Sequence, residues 1–107
     1  MDIGIDIQDI ADFEQAYIRS GESLLEKIFT PQELDNRDTP HLCGLFCAKE
    51  AAIKAGITKV GEWLTIYTKV DSSGKPTLYT LDDKKIENAS LSISHSKTTC
   101  VAVVIRS

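Results

Sequence analysis

From Leu42 to Ala55 the chain has little freedom of local structure. The stretch is rich in helix formers and free of proline, and it stops near Gly56, a residue suited to a left-handed helix terminus. It predicts one long helix against which the other elements must pack. Residues 2 to 7, Asp-Ile-Gly-Ile-Asp-Ile, alternate with period two, so isoleucines 3, 5 and 7 share one face of a half-buried strand and Asp2, Gly4 and Asp6 share the other. From Asp9 to about Lys27, and on to Ile28, Ile10, Phe13, Tyr17, Leu24 and Leu25 recur at roughly helical spacing, and Ser20-Gly21-Glu22-Ser23 breaks the run into two helices. Thr30-Pro31-Gln32-Glu33 predicts a further helix start, with Thr30 as cap, Pro31 at the first helical position and Glu33 closing a capping box.

The second half reads as strands. Trp63 to Val70 and Pro76 to Leu81 form a hairpin through the polar turn Asp71-Ser72-Ser73-Gly74-Lys75. Ala89 to Ser94 and Thr99 to Ile105 flank Ser94-His95-Ser96-Lys97-Thr98, which puts His95 at a strand end or turn. Helices first and strands later predict an α+β fold, a mostly antiparallel sheet packed against a long central helix, with the first strand joining that sheet. At 107 residues the chain is one domain, residues 1–107, and 42% hydrophobic with 26% charged residues is the composition of a folded protein rather than a disordered one.

A formal charge of −4 has the wrong sign for nonspecific binding to nucleic acid or to an anionic membrane. No apolar run approaches the roughly twenty residues of a membrane helix and the acidic start is unlike a signal peptide, so a cytoplasmic protein is expected. Cys43, Cys47 and Cys100 are then reduced thiols, not a disulfide framework. Hairpin edges on so short a chain favour oligomerisation.

The densest chemistry lies in Phe46-Cys47-Ala48-Lys49-Glu50-Ala51-Ala52-Ile53-Lys54-Ala55, where Glu50 and Lys54 share a helix face. That spacing serves either an exposed ion pair or half of an anion site. Asp6, projecting from the strand face opposite its isoleucines, adds a second carboxylate, and two carboxylates beside a lysine suit Mg²⁺ with a substrate diphosphate. Asp6 is equally suited to a helix cap or a strand-edge charge. His95, beside serine hydroxyls and Lys97, is either a polar turn residue or a phosphate ligand. Cys43 and Cys47 fall on one helical stripe with Glu50 and Lys54; a soft-metal site there needs two more ligands, for which only His41 and Cys100 are available, and packing cysteines are favoured. There is no Ser-His-Asp signature, Walker loop or dinucleotide glycine fingerprint.

Taken in order, Gly4-Ile5-Asp6-Ile7, Ile28-Phe29-Thr30-Pro31-Gln32-Glu33-Leu34, the Phe46 to Ala55 segment, Gly74-Lys75-Pro76 and Ser92-Ile93-Ser94-His95 make the chain resemble the holo-[acyl-carrier-protein] synthase family of 4′-phosphopantetheinyl transferases over essentially its whole length. The resemblance implies a homotrimer with active sites between neighbouring subunits and coenzyme A as donor. It implies transfer of 4′-phosphopantetheine to a serine of an apo acyl or peptidyl carrier protein, with release of 3′,5′-ADP. By the same resemblance Asp6 and Glu50 bind Mg²⁺, and Lys54 neutralises charge on the phosphates. Ser94 and His95 line the coenzyme site, and Gly74, Lys75 and Pro76 shape its neighbouring hairpin. Glu50 or a water on the ion accepts the serine proton, and the residues leave these two open. Three departures stand out. Leu45 precedes Phe46 where the family commonly has arginine, the stretch Asp9-Ile10-Ala11-Asp12-Phe13 is acidic where the family usually docks its carrier through an arginine, and the glycine-rich loop is shortened to Gly56-Ile57-Thr58-Lys59-Val60-Gly61. These favour a specialised carrier, since like charges across an interface suppress a partner; a noncatalytic coenzyme A-binding or assembly subunit of the same fold is the alternative they leave.

Overall fold

The computed structural model describes residues 1–107. Strand β1 (Asp2–Asp9) runs directly into helix α1 (Ile10–Ser20), because Asp9 serves both: its carboxylate accepts the backbone N–H groups of Ala11 and Asp12, satisfying donors that the first helical turn leaves orphaned. Asp9, and not Asp6, is therefore the helix cap. Gly21, at φ +63°, separates α1 from α2 (Glu22–Ile28), as the break in the periodicity required.

The helix expected at Thr30 is reduced to a single 3-10 turn, Glu33–Asp35. The capping box is nonetheless made, with Thr30 N donating to Glu33 Oε1 at 2.9 Å and Glu33 N donating to Thr30 Oγ1 at 3.4 Å. The Glu33 carboxylate is committed elsewhere, to the buried Lys49 ammonium 2.7 Å away and to the backbone N–H of Thr68, and those ties hold the segment against the core instead of letting it wind on.

The long helix α3 spans Thr39–Lys54, starting a turn earlier than Leu42 because Pro40 fits its first turn, where a missing N–H costs nothing. Leu42, Cys43, Cys47, Ala48, Ala51 and Ala52 on it are wholly buried. Trp63–Thr65, expected as strand, form a 3-10 turn, and β2 (Ile66–Val70) pairs with β3 (Pro76–Thr80) as a separate two-stranded sheet. The main sheet has the order β1-β5-β4, where β4 is Ala89–His95 and β5 is Thr99–Arg106, and every pairing is antiparallel.

The sheet's sidedness inverts the simplest reading of the alternation. Ile3, Ile5 and Ile7 are 62%, 58% and 67% exposed, while Gly4 and Asp6 are turned onto α3. The register sets the isoleucines opposite Ile105, Val103 and Val101, so that one face of the sheet is apolar and uncovered. The covered face is decided by Gly4, where a Cβ atom would sit 1.8 Å from the Ala51 carbonyl oxygen; no side chain fits between β1 and the helix there.

Candidate active site

At the seam between β1 and α3 the chain brings together three of the residues that the sequence singled out. Lys54 Nζ lies 3.3 Å from Asp6 Oδ1 and donates to the Ile5 carbonyl at 3.0 Å, so two of its three N–H groups are used and one is free for a ligand. The Asp6 side chain is only 10% exposed, and its charge is met by this single, half-exposed ammonium. Glu50 sits one helical turn before Lys54, half-buried, with Oε1 accepting from the indole Nε1 of Trp63 at 2.9 Å and Oε2 unpartnered within the chain. Asp6 Oδ2 accepts from Gln8 Nε2 at 2.9 Å. Beside the seam, Gln8, Asp12, Phe13 and Phe46 help line a small cavity of about 170 Å³.

Hard carboxylate oxygens, one of them held out of water, are the donors that Mg²⁺ selects, and Asp6 and Glu50 fit such an ion in chemistry. No cluster of three or more His, Cys, Asp or Glu side chains is built for a metal, so the chain offers two carboxylates and leaves the other positions to water and substrate phosphate.

The second group of expected residues lies elsewhere in the subunit. Gly74, Pro76 and His95 line a cleft of about 400 Å³ with His41, Gly44 and Leu45. Ser94 is exposed on β4 next to it, and Lys75 lines a different, smaller cavity with Asp71, Lys85 and Glu87. A single subunit thus carries the carboxylates and the histidine cleft as two sites. Cys43 and Cys47 lie on the helical stripe of Glu50 and Lys54 but deeper in the fold, where they and Cys100 are buried free thiols packed in the core. Burial pushes the Cys100 thiol up to about 12, while the hydrogen bond between Cys43 and Cys47 lowers the first and raises the second.

Three side chains at or behind the site, Gln8, Trp63 and Lys49, were not singled out in the sequence. Gln8 follows Asp6 by two on the same strand face, a signal that period two contains. Trp63 and the buried Glu33–Lys49 pair depend on chain crossings that no local spacing records.

Comparison with known proteins identifies the family. The ACPS family, described as the 4′-phosphopantetheinyl transferase superfamily, matches residues 2–104. The holo-[acyl-carrier-protein] synthase of Chlorobaculum tepidum is 36% identical over 113 aligned residues, covering 98% of this chain and 97% of that protein. The crystal structure of the Helicobacter pylori holo-[acyl-carrier-protein] synthase in complex with coenzyme A superposes with a TM-score of 0.84 at 29% identity, covering 98% of this chain and 99% of that one. That of the Bacillus anthracis synthase in complex with coenzyme A (3′,5′-ADP) gives 0.81 at 34% identity, covering 98% and 94%. The fold, the matched span and the relatives agree: the chain belongs to the 4′-phosphopantetheinyl transferase superfamily and is similar throughout to its holo-[acyl-carrier-protein] synthases.

Proposed function

We propose that the protein transfers the 4′-phosphopantetheine group of coenzyme A to a serine of an apo carrier protein, releasing 3′,5′-ADP. The observation that carries this reading is the pairing of the Asp6 carboxylate with the Lys54 ammonium at 3.3 Å, with Glu50 one helical turn before Lys54 on the same helix. A serine attacking a phosphorus shielded by anionic oxygens needs charge taken off those oxygens more than it needs covalent help. Lys54 supplies one fixed positive charge with an N–H to spare. Glu50 Oε2, unpartnered and half-buried, is the one oxygen left either for an ion or for the serine proton. Asp6 and Glu50 would hold Mg²⁺, which when bound draws charge from the diphosphate and favours departure of the nucleotide.

The donor is read as spanning two subunits, from the carboxylate seam of one copy to the cleft of Gly74, Pro76 and His95 on the next. Support comes from the uncovered sheet face of Ile3, Ile5, Ile7, Val101, Val103 and Ile105, an apolar patch that lone subunits rarely leave exposed and that identical copies cover in the homotrimer implied by the resemblance. No helix is long and apolar enough to cross a membrane, and three free thiols suit a cytoplasmic enzyme. Asp9, Asp12 and Glu14 are exposed around the start of α1, which favours a carrier whose docking helix is less acidic than usual.

The test is incubation with Mg²⁺, coenzyme A and a panel of apo carriers of graded charge, followed by intact mass measurement. A phosphopantetheine-sized gain on at least one carrier is expected, and it disappears in Glu50→Gln while the far-UV circular dichroism spectrum is retained. Tight coenzyme binding with no gain on any carrier replaces this reading with that of a binding or assembly subunit.

A further inference from the structure

Neither carboxylate at the seam is free to turn. Gln8 leaves β1 on the same face as Asp6 and ties down Asp6 Oδ2 through a 2.9 Å hydrogen bond. Trp63 does the same for Glu50 Oε1, also at 2.9 Å. Trp63 is itself held at both ends: its carbonyl accepts from Lys49 Nζ at 2.9 Å and its ring packs on Phe46 with centroids 6.3 Å apart. Lys49 in turn is fully buried against Glu33, so this anchor belongs to the core and not to a mobile surface. Both tethers are neutral N–H donors. An amide and an indole orient the two carboxylates and leave their charge in place, so the one cation on the pair is Lys54, on Asp6 Oδ1.

We propose that Gln8 and Trp63 are positioning residues for the Asp6–Glu50 pair, each fixing one oxygen so that Glu50 Oε2 and Asp6 Oδ1, the latter shared with the Lys54 ammonium 3.3 Å away, are held toward a divalent cation. The inference rests on the transferase reading above for the identity of the cation but is tested separately from it. Loss of a group that orients a metal ligand typically weakens metal affinity by about 10–100-fold. Gln8→Leu and Trp63→Phe remove the N–H groups while keeping similar bulk, and phenylalanine keeps an aromatic ring against Phe46.

Mn²⁺ binding to the full-length protein with coenzyme A present is measured by calorimetry, and transfer is measured against Mg²⁺ concentration. The half-saturating metal concentration should rise about 10–100-fold in each variant, with turnover at saturating Mg²⁺ recovering to within a few-fold, a split that a general loss of folding does not produce. Trp63 is the single tryptophan of the chain, so the wild-type protein carries its own reporter: Mn²⁺ should quench its emission, and Glu50→Gln should abolish that response. Unchanged metal dependence in both variants overturns the proposal, as does a wild-type emission that ignores Mn²⁺ even if Trp63→Phe fails to fold. Mn²⁺ binding that weakens in the variants of a protein that transfers nothing upholds the positioning role while removing the transferase reading.

Discussion

Replacing Lys49 by methionine isolates the interaction on which the largest share of local order depends. The Lys49 ammonium is fully buried, 2.7 Å from Glu33 Oε1, and donates to the carbonyls of Ile28, Trp63 and Ile66 at 2.8, 2.9 and 3.1 Å. Burial pushes this ammonium below the usual lysine range, and the Glu33 carboxylate opposes that shift. Lys49→Met keeps the volume but leaves three carbonyls without their donor and a carboxylate in the core without its countercharge. Each buried carbonyl left bare costs about 1–3 kcal/mol, less where water enters, and removing one partner of a buried pair costs about 3–5 kcal/mol in all, since these losses overlap. A domain of this size has about 5–15 kcal/mol of stability to lose. The expected loss corresponds to a fall in melting temperature of about 12–20 °C. Urea unfolding followed by circular dichroism, at one fixed protein concentration, measures it. Adding Glu33→Gln should restore about 1 kcal/mol or more, because the neutral amide removes the bare charge and gains a donor for a stranded carbonyl, although its single oxygen keeps an acceptor for only one of the Thr30 and Thr68 N–H groups. A loss under about 1 kcal/mol for Lys49→Met, or a double variant weaker than the single one, refutes the reasoning.

Gly4→Ala puts a Cβ 1.8 Å from the Ala51 oxygen and 2.8 Å from the Ala55 nitrogen, both backbone atoms, so a loss of about 3 kcal/mol or more is expected in thermal unfolding, and a melting temperature within about 2 °C of wild type contradicts it. The thiol of Cys100 is raised from 9.0 to about 12, chiefly by burial, so the folded chain holds a proton that the unfolded chain releases. Its contribution is complete below pH 9 and is lost as pH rises toward 12, at up to about 1.4 kcal/mol per pH unit; Cys100→Ala should flatten the fall in a urea series across that range. Ile5→Lys sets a charge in the middle of the apolar sheet face, and light scattering should show smaller particles than the wild type forms; an unchanged mass excludes that face as the contact between copies.

Periodicity carried most of the secondary structure. The alternation at residues 2 to 7 and the proline-free run through Ala55 each report a local preference, and local preference is what survives in those elements. Partnership is not local. Nothing in Ile66–Val70 or Pro76–Thr80 states that they form a sheet of their own, since a period-two pattern names a strand but not its neighbour. The isoleucines misled for a related reason: alternation separates two faces without saying which is covered, and here an uncovered apolar face waits for something other than this subunit's helix. At the site, Asp6, Glu50 and Lys54 were legible because a strand face and an i, i+4 spacing project them predictably. Trp63 was not, because its indole reaches Glu50 only through the 3-10 turn where the sequence suggested a strand. Thr30 and Glu33 were legible as a box, whereas the buried lysine that employs the same carboxylate was hidden in a surface-like motif.

The bare backbone of Gly4 also acts as a registration mark. A slip of β1 by one residue along β5 would carry Ile3 or Ile5 to the point where even a methyl group collides with the Ala51 oxygen, and it would swing Asp6 out to the open side. Hydrophobic attraction alone would welcome that slip, since it turns three isoleucines inward. The carboxylate therefore owes its address to steric exclusion at a neighbouring position, and only secondarily to the lysine that greets it there.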